Sequence, residues 1–114
     1  MKIEQFEDII AWQKAKEATI LIYFLFKNNR DYSYKDQIQR AVISIGNNIA
    51  EGFERRSNKE FKHFLFIAKG SCAEVRSMLY VGLELGYFSK TDHTKASNLC
   101  VEISKMLSGL IKTL

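Results

Sequence analysis

Proline is absent from the chain, and glycine, cysteine and histidine are scarce, at six, two and two residues in 114. Without proline nothing in the chain must break a helix by withholding an N–H, and without a steady supply of Gly/Pro punctuation a fold of many short strands and tight turns is excluded. Cys72 and Cys100 stand in apolar surroundings, with no C-x-x-C and no Cys/His pair at ligand spacing. They read as free thiols packed in a cytoplasmic protein rather than as a disulfide framework or a zinc module. A long apolar run is missing too. The longest, Ile20 to Phe26, spans seven residues, whereas a membrane helix needs about 20. No signal peptide precedes the first helical pattern.

What remains is rich in apolar side chains: 46% of residues are hydrophobic, with eight Phe, five Tyr and one Trp. That is too much apolar surface for a disordered chain, and the length suits one domain spanning residues 1–114. Helical spacing recurs throughout. Ile38, Val42, Ile45 and Ile49 step by four, three and four, the stripe of a helix packed on partners. Phe61, Leu65, Ala68, Cys72, Val75, Leu79, Gly82 and Gly86 keep a 3.5-residue repeat, which implies near-parallel bundle packing. Phe64, Ser71, Met78 and Leu85 form a second row beside it, so this helix shows two contact faces. Trp12, Ala15, Thr19, Ile22 and Phe26 line the first helix, with Ile20, Leu21, Phe24 and Leu25 spreading apolar surface round its other sides; Leu99, Ile103, Met106 and Leu110 line the last. The expected helices are about 5–28, 34–54, 58–86 and 90–113, joined by short connections. The predicted fold class is all-α, an antiparallel up-down-up-down four-helix bundle.

Between the second and third helices, Gly52 weakens the helix, Arg55 and Arg56 suit a helix C-terminus, and Ser57 with Glu60 reads as a capping box. Gly86 closes the third helix, and Ser89 with Asp92 opens the fourth.

Catalytic and cofactor chemistry finds little to use. His63 and His93 lack the carboxylates or thiols that would complete a metal set. Glu60 and His63 have the Glu-x-x-His spacing of a di-iron bundle, but only one such pair exists and Glu60 already serves the cap. Gly46, Gly52 and Gly70 fall inside helical patterns and match no phosphate loop, so their role is close helix approach or a helix end. No nucleophile triad is visible, and the chain reads as a non-enzyme without cofactor or metal. Asn48 and Glu51, at i and i+3 beside an apolar stripe, are better explained as a polar network tying the second helix to the first, or to the corner, than as a ligand site.

The remaining signal is charge. The chain carries +4 net with a pI near 9.1, and the excess of cations lies after residue 31. Arg40, Arg55, Arg56, Lys59, Lys62 and Lys69 would suit nucleic-acid phosphate if they form one surface. An ordinary solvated face, with Glu54, Glu60 and Glu84 interleaved, accounts for them equally well.

Several motifs resemble a known family. A-W-Q-K-A at Ala11–Ala15, N-I-A-E-G at Asn48–Gly52 followed by Arg55-Arg56-Ser57, and F-L-F-I-A-K-G-S at Phe64–Ser71 occur in the order found in proteins encoded within intervening sequences of the 23S ribosomal RNA gene. The resemblance runs from about Phe6 to Leu114; Gly46 stands where relatives often carry proline. It implies a four-helix bundle and, through the related accessory variability determinant protein of diversity-generating retroelements, a homopentameric ring. That relative associates with nucleic acid and a reverse transcriptase, so RNA or DNA, a reverse transcriptase and further copies of the chain itself are the partners the resemblance implies.

Overall fold

The computed structural model describes residues 2–114, which form four helices and one 3-10 turn. The helices are α1 (Ile10–Phe26), α2 (Tyr32–Glu54), α3 (Asn58–Glu84) and α4 (Lys90–Lys112), and the turn, Phe6–Asp8, precedes α1. They form an antiparallel bundle measuring 42 × 23 × 19 Å. Each helix packs on its two neighbours in chain order, with α4 closing on α1, while α1 and α3 lie diagonally apart without contact. Among the described residues no helix is long and apolar enough to cross a membrane.

The helix limits follow local chemistry. α1 starts five residues later than its apolar pattern suggests, because Asp8 Oδ2 accepts from the Glu4 and Gln5 N–H groups (3.1 and 3.2 Å) and winds a separate 3-10 turn. α2 starts at Tyr32, two residues early, because Asp31 caps it by accepting from the Tyr34 N–H at 3.2 Å. Gly86 adopts φ +74° and ends α3 in a Schellman motif. The Tyr87 N–H donates to the Gly82 carbonyl and the Gly86 N–H to that of Leu83, both at 3.0 Å. Ser89 caps α4 through the Asp92 N–H at 3.1 Å.

In the core, Ile38, Val42, Ile45 and Ile49 of α2 and Leu65, Ala68, Cys72, Val75 and Leu79 of α3 are buried, as their spacing requires. Ala15, Ile22 and Phe26 are buried from α1, with Trp12 and Thr19 half-covered. α4 differs from expectation. Its innermost line is Ala96, Cys100, Ile103 and Leu107, and Leu99, Met106 and Leu110 flank it half-buried. The small Ala96 and Cys100 let α4 approach closely, and that is why the larger residues beside them looked like the centre of the stripe.

Two glycines set close helix crossings. A Cβ at Gly52 would lie 2.6 Å from the Cβ of Phe64, and one at Gly82 would strike the Tyr34 hydroxyl and come within 2.8 Å of Phe88. Gly52 therefore lies inside α2 as a contact point with α3, and the helix runs two residues past it. α2 also runs unbroken through Gly46, whose α-carbon faces Trp12 and Ala15. Near Gly82, Phe26 packs edge to face on Phe88 and Tyr34 on Tyr87, while the Phe26 and Tyr34 rings meet tilted. The hydroxyl of Tyr34 donates to the Met78 carbonyl and that of Tyr87 to the Asp31 carboxylate. Tyr87 and the Tyr34 N–H together hold the Asp31 carboxyl below the usual range, and burial pushes the Tyr34 phenol up to about 12.

Candidate nucleic-acid interface at the bundle corner

The corner between α2 and α3 is built by one residue in an uncommon conformation. Arg56 follows the C-cap Arg55 and adopts φ 60°, the one non-glycine positive φ among the described residues. That position normally falls to glycine or asparagine, because a Cβ there costs roughly 1–2 kcal/mol. The chain turns at Arg56, and Ser57 accepts from the Glu60 N–H at 3.4 Å to start α3. The reciprocal half of the expected capping box is absent: Glu60 instead lies 3.8 Å from the Arg55 guanidinium.

The six candidate cations fall into three settings. Arg55 is restrained, 3.2 Å from Glu51 and 3.8 Å from Glu60, with its guanidinium 5.1 Å from the centre of the Phe64 ring. Arg56 and Lys59 are exposed at the corner and, like Lys62 one turn further on, have no carboxylate within ion-pair distance among the described residues. Lys69 and Arg40 stand apart. Lys69 Nζ donates to Ser108 Oγ across the α3–α4 seam at 2.7 Å, and Arg40 precedes Arg55 by a helical rise of about 22 Å. The structure thus gathers Arg55, Arg56, Lys59 and Lys62 and leaves Arg40 and Lys69 outside that group.

Beneath the corner lies a groove of about 410 Å³, floored by Phe53, Phe61 and Leu110, with Arg56, Ser57 and Asn58 on its rim. No local pattern announces it, because it joins the α2–α3 junction to the end of α4, some fifty residues away in the chain. The left-handed turn at Arg56 was equally hidden, since Arg-Arg-Ser carries none of the residues that usually mark it.

The polar residues of α2 resolve into structural roles. Asn48 donates to the Ser44 carbonyl and hydroxyl at 2.7 and 2.8 Å, and the Ser71 hydroxyl donates to that of Ser44 at 2.9 Å. This network ties α2 to α3, not to α1, while Glu51 serves Arg55 at the corner. His63 is exposed; His93 is buried between the Tyr80 and Phe88 rings, with Nε2 lacking a hydrogen-bond partner. Among the described residues no three His, Cys, Asp or Glu side chains converge in a way that would hold a metal.

The family model described as 23S rRNA-intervening sequence protein matches residues 7–109. A crystal structure of a protein with unknown function from the S23 ribosomal protein family of Bacteroides thetaiotaomicron VPI-5482 has the same fold, with a TM-score of 0.82. At 27% identity it covers 90% of this chain and 98% of its own. No curated protein matches.

Proposed function

The chain belongs to the 23S rRNA-intervening sequence protein family, and from that premise we propose that it is a non-catalytic, homo-oligomeric accessory protein that binds RNA or DNA through the α2–α3 corner. The observation that carries this reading is the state of the corner cations. Arg55 is fixed against two carboxylates and a ring, whereas Arg56 and Lys59 extend into solvent unpaired, beside Lys62. Unpaired cations are ordinary on a solvated surface, but Arg56 keeps a bulky charged side chain at φ 60°, where glycine would relieve the backbone. Strain retained at an exposed position points to a role for the side chain. Contacts of this kind go to phosphate and are indifferent to base sequence. The ring of five is taken from the family resemblance, and several copies of the corner on one ring would add avidity.

The test is a salt titration of nucleic-acid binding, comparing wild type with the triple variant Arg55→Ala, Arg56→Ala, Lys59→Ala at matched helix content and mass. Affinity should fall steeply with salt for wild type. The log–log slope should shrink by about 0.7 to 0.9 for each phosphate contact removed, most of it from Arg56 and Lys59. Equal affinity and slope in the two proteins would make the corner an ordinary helix junction. The second reading, a protein-binding assembly module without nucleic-acid contact, would then take its place, favoured by the apolar residues left exposed on α1 and α3.

A further inference from the structure

Along the seam between α3 and α4 the charge is of one sign. Lys62, Lys69 and Arg76 recur at seven-residue spacing and so share one stripe of α3. The Lys69 hydrogen bond to Ser108 and the packing of the Tyr80 ring on His93, 4.9 Å between centres, set that stripe against α4. Lys105 and Lys112, one turn either side of Ser108, stand on the same side of α4. The five carboxylate side chains of the two helices lie elsewhere. Glu60 faces Arg55, Glu74 accepts from Gln37 on α2 and Glu102 faces Lys14 on α1, while Glu84 and Asp92 belong to the far end, where α3 gives way to α4. Of the other cations on these helices, Lys59 belongs to the corner, Lys90 to that far end, and Lys95 turns toward Leu21 and Phe24 of α1.

Two flat rings interrupt this positive seam. Phe66 and Tyr80 are 54% and 56% exposed; Phe66 lies one turn from both Lys62 and Lys69, and Tyr80 one turn from Arg76. Uncovered aromatic rings set among cations are the means by which proteins hold unpaired strands, the cations taking the phosphates while the bases stack on the rings. We propose that the α3–α4 seam binds single-stranded RNA or DNA in this way; the proposal rests on the nucleic-acid reading above and names the form of nucleic acid that the protein takes. A duplex fits the seam less well. Its base faces are hidden in the stack, so the two rings would add nothing to what the lysines supply alone. Spacing suits a strand too. The rings stand fourteen residues apart, about 21 Å along the helix, and Gly70, Ala73 and Ser77 between them are too small to bar a strand from the helix surface. Lys62 joins the seam to the corner, so one strand can run from Arg56 and Lys59 onto α3.

The experiment compares binding of oligo(dT), oligo(U) and a DNA duplex with the same number of phosphates. Wild type should prefer the single strands. The double variant Phe66→Leu, Tyr80→Leu keeps apolar bulk, including the cover over His93, but removes the flat rings. It should lose single-strand affinity by about 5- to 150-fold for each base that no longer stacks, with duplex affinity unchanged. Its salt slope should match wild type, because no phosphate contact has gone. The converse double variant, Phe66→Tyr, Tyr80→Phe, keeps both rings and should keep the affinity. Circular dichroism and cooperative melting check each fold, and Phe66→Leu alone, away from the Tyr80–His93 contact, replaces the leucine pair if that pair fails to fold. Unchanged single-strand affinity in the leucine variant overturns the proposal, as does an equal loss on strand and duplex, or a wild-type preference for duplex. A changed oligomeric mass in that variant also overturns it, since the rings would then serve contacts between copies. Each of these leaves the corner reading standing, with its own slope test. Wild type that binds neither strand nor duplex removes both.

Discussion

Cys72 and Cys100 lie on facing helices, buried and unpaired. Loss of hydration pushes the Cys72 thiol up to about 12 and the Cys100 thiol to about 11, from an ordinary value of 9.0. A thiol held protonated is a poor nucleophile, so both should resist alkylation until the protein unfolds. The same shifts make stability depend on pH. Below pH 9 the thiols are protonated in both folded and unfolded chains and the shift contributes nothing. Above it the unfolded chain sheds protons that the native protein retains, so stability falls with rising pH, by up to about 1.4 kcal/mol per pH unit for each thiol. Urea midpoints measured between pH 8.5 and 10.5 should therefore drop more steeply for wild type than for Cys72→Ala, Cys100→Ala, whose starting stability will be lower because cavities replace the sulfurs. Parallel slopes would show that the thiols are hydrated in the native state.

Helix junctions are the next scale, and the α2–α3 junction departs most from local rules. Replacing Arg56 by glycine should remove the left-handed cost at that residue, roughly 1–2 kcal/mol, against an added chain entropy of about 0.5–1 kcal/mol in the unfolded state. Arg56→Gly should thus melt at or above the wild-type temperature, while Arg56→Ala, which keeps a Cβ, should not gain. A lower melting point for Arg56→Gly would mean that the arginine side chain itself holds the corner together. The junction also shows what local sequence conveys. Ile38, Val42, Ile45 and Ile49 announced the buried face of α2 because large branched side chains recur at one helical spacing. Ser57 and Ser89 announced helix starts because a hydroxyl satisfies an N–H close by in the chain. Arg56 announced nothing, since its φ is imposed by where α3 must lie on α2. The α4 core line was blurred because Ala96 and Cys100 mark it by smallness, which a search for apolar bulk passes over. Of the candidate site, the cluster Arg55 to Lys62 was legible as a run of charge. The pairing that immobilises Arg55 and the remote hydrogen bond of Lys69 depend on folded geometry.

At the scale of the whole molecule, every helix packs against the one before it, and α1 meets α4 only when the bundle closes. Most native contacts therefore join residues near in sequence, and chains of low contact order fold fast, in microseconds to milliseconds, because little loop entropy is lost before contacts form. The absence of proline removes the usual source of delay, the isomerisation that takes 10–100 s. Stopped-flow refolding from urea, followed by Trp12 fluorescence, should show one phase within milliseconds that does not vary with protein concentration. On the proposed homo-oligomeric reading, any slower phase should accelerate with protein concentration. A slow phase indifferent to concentration would mean that helices collapse in the wrong order and must separate again. The up-and-down path of the chain thus has a temporal meaning: each helix can settle on the one before it as soon as both exist, so the bundle is finished in the order in which its sequence is written.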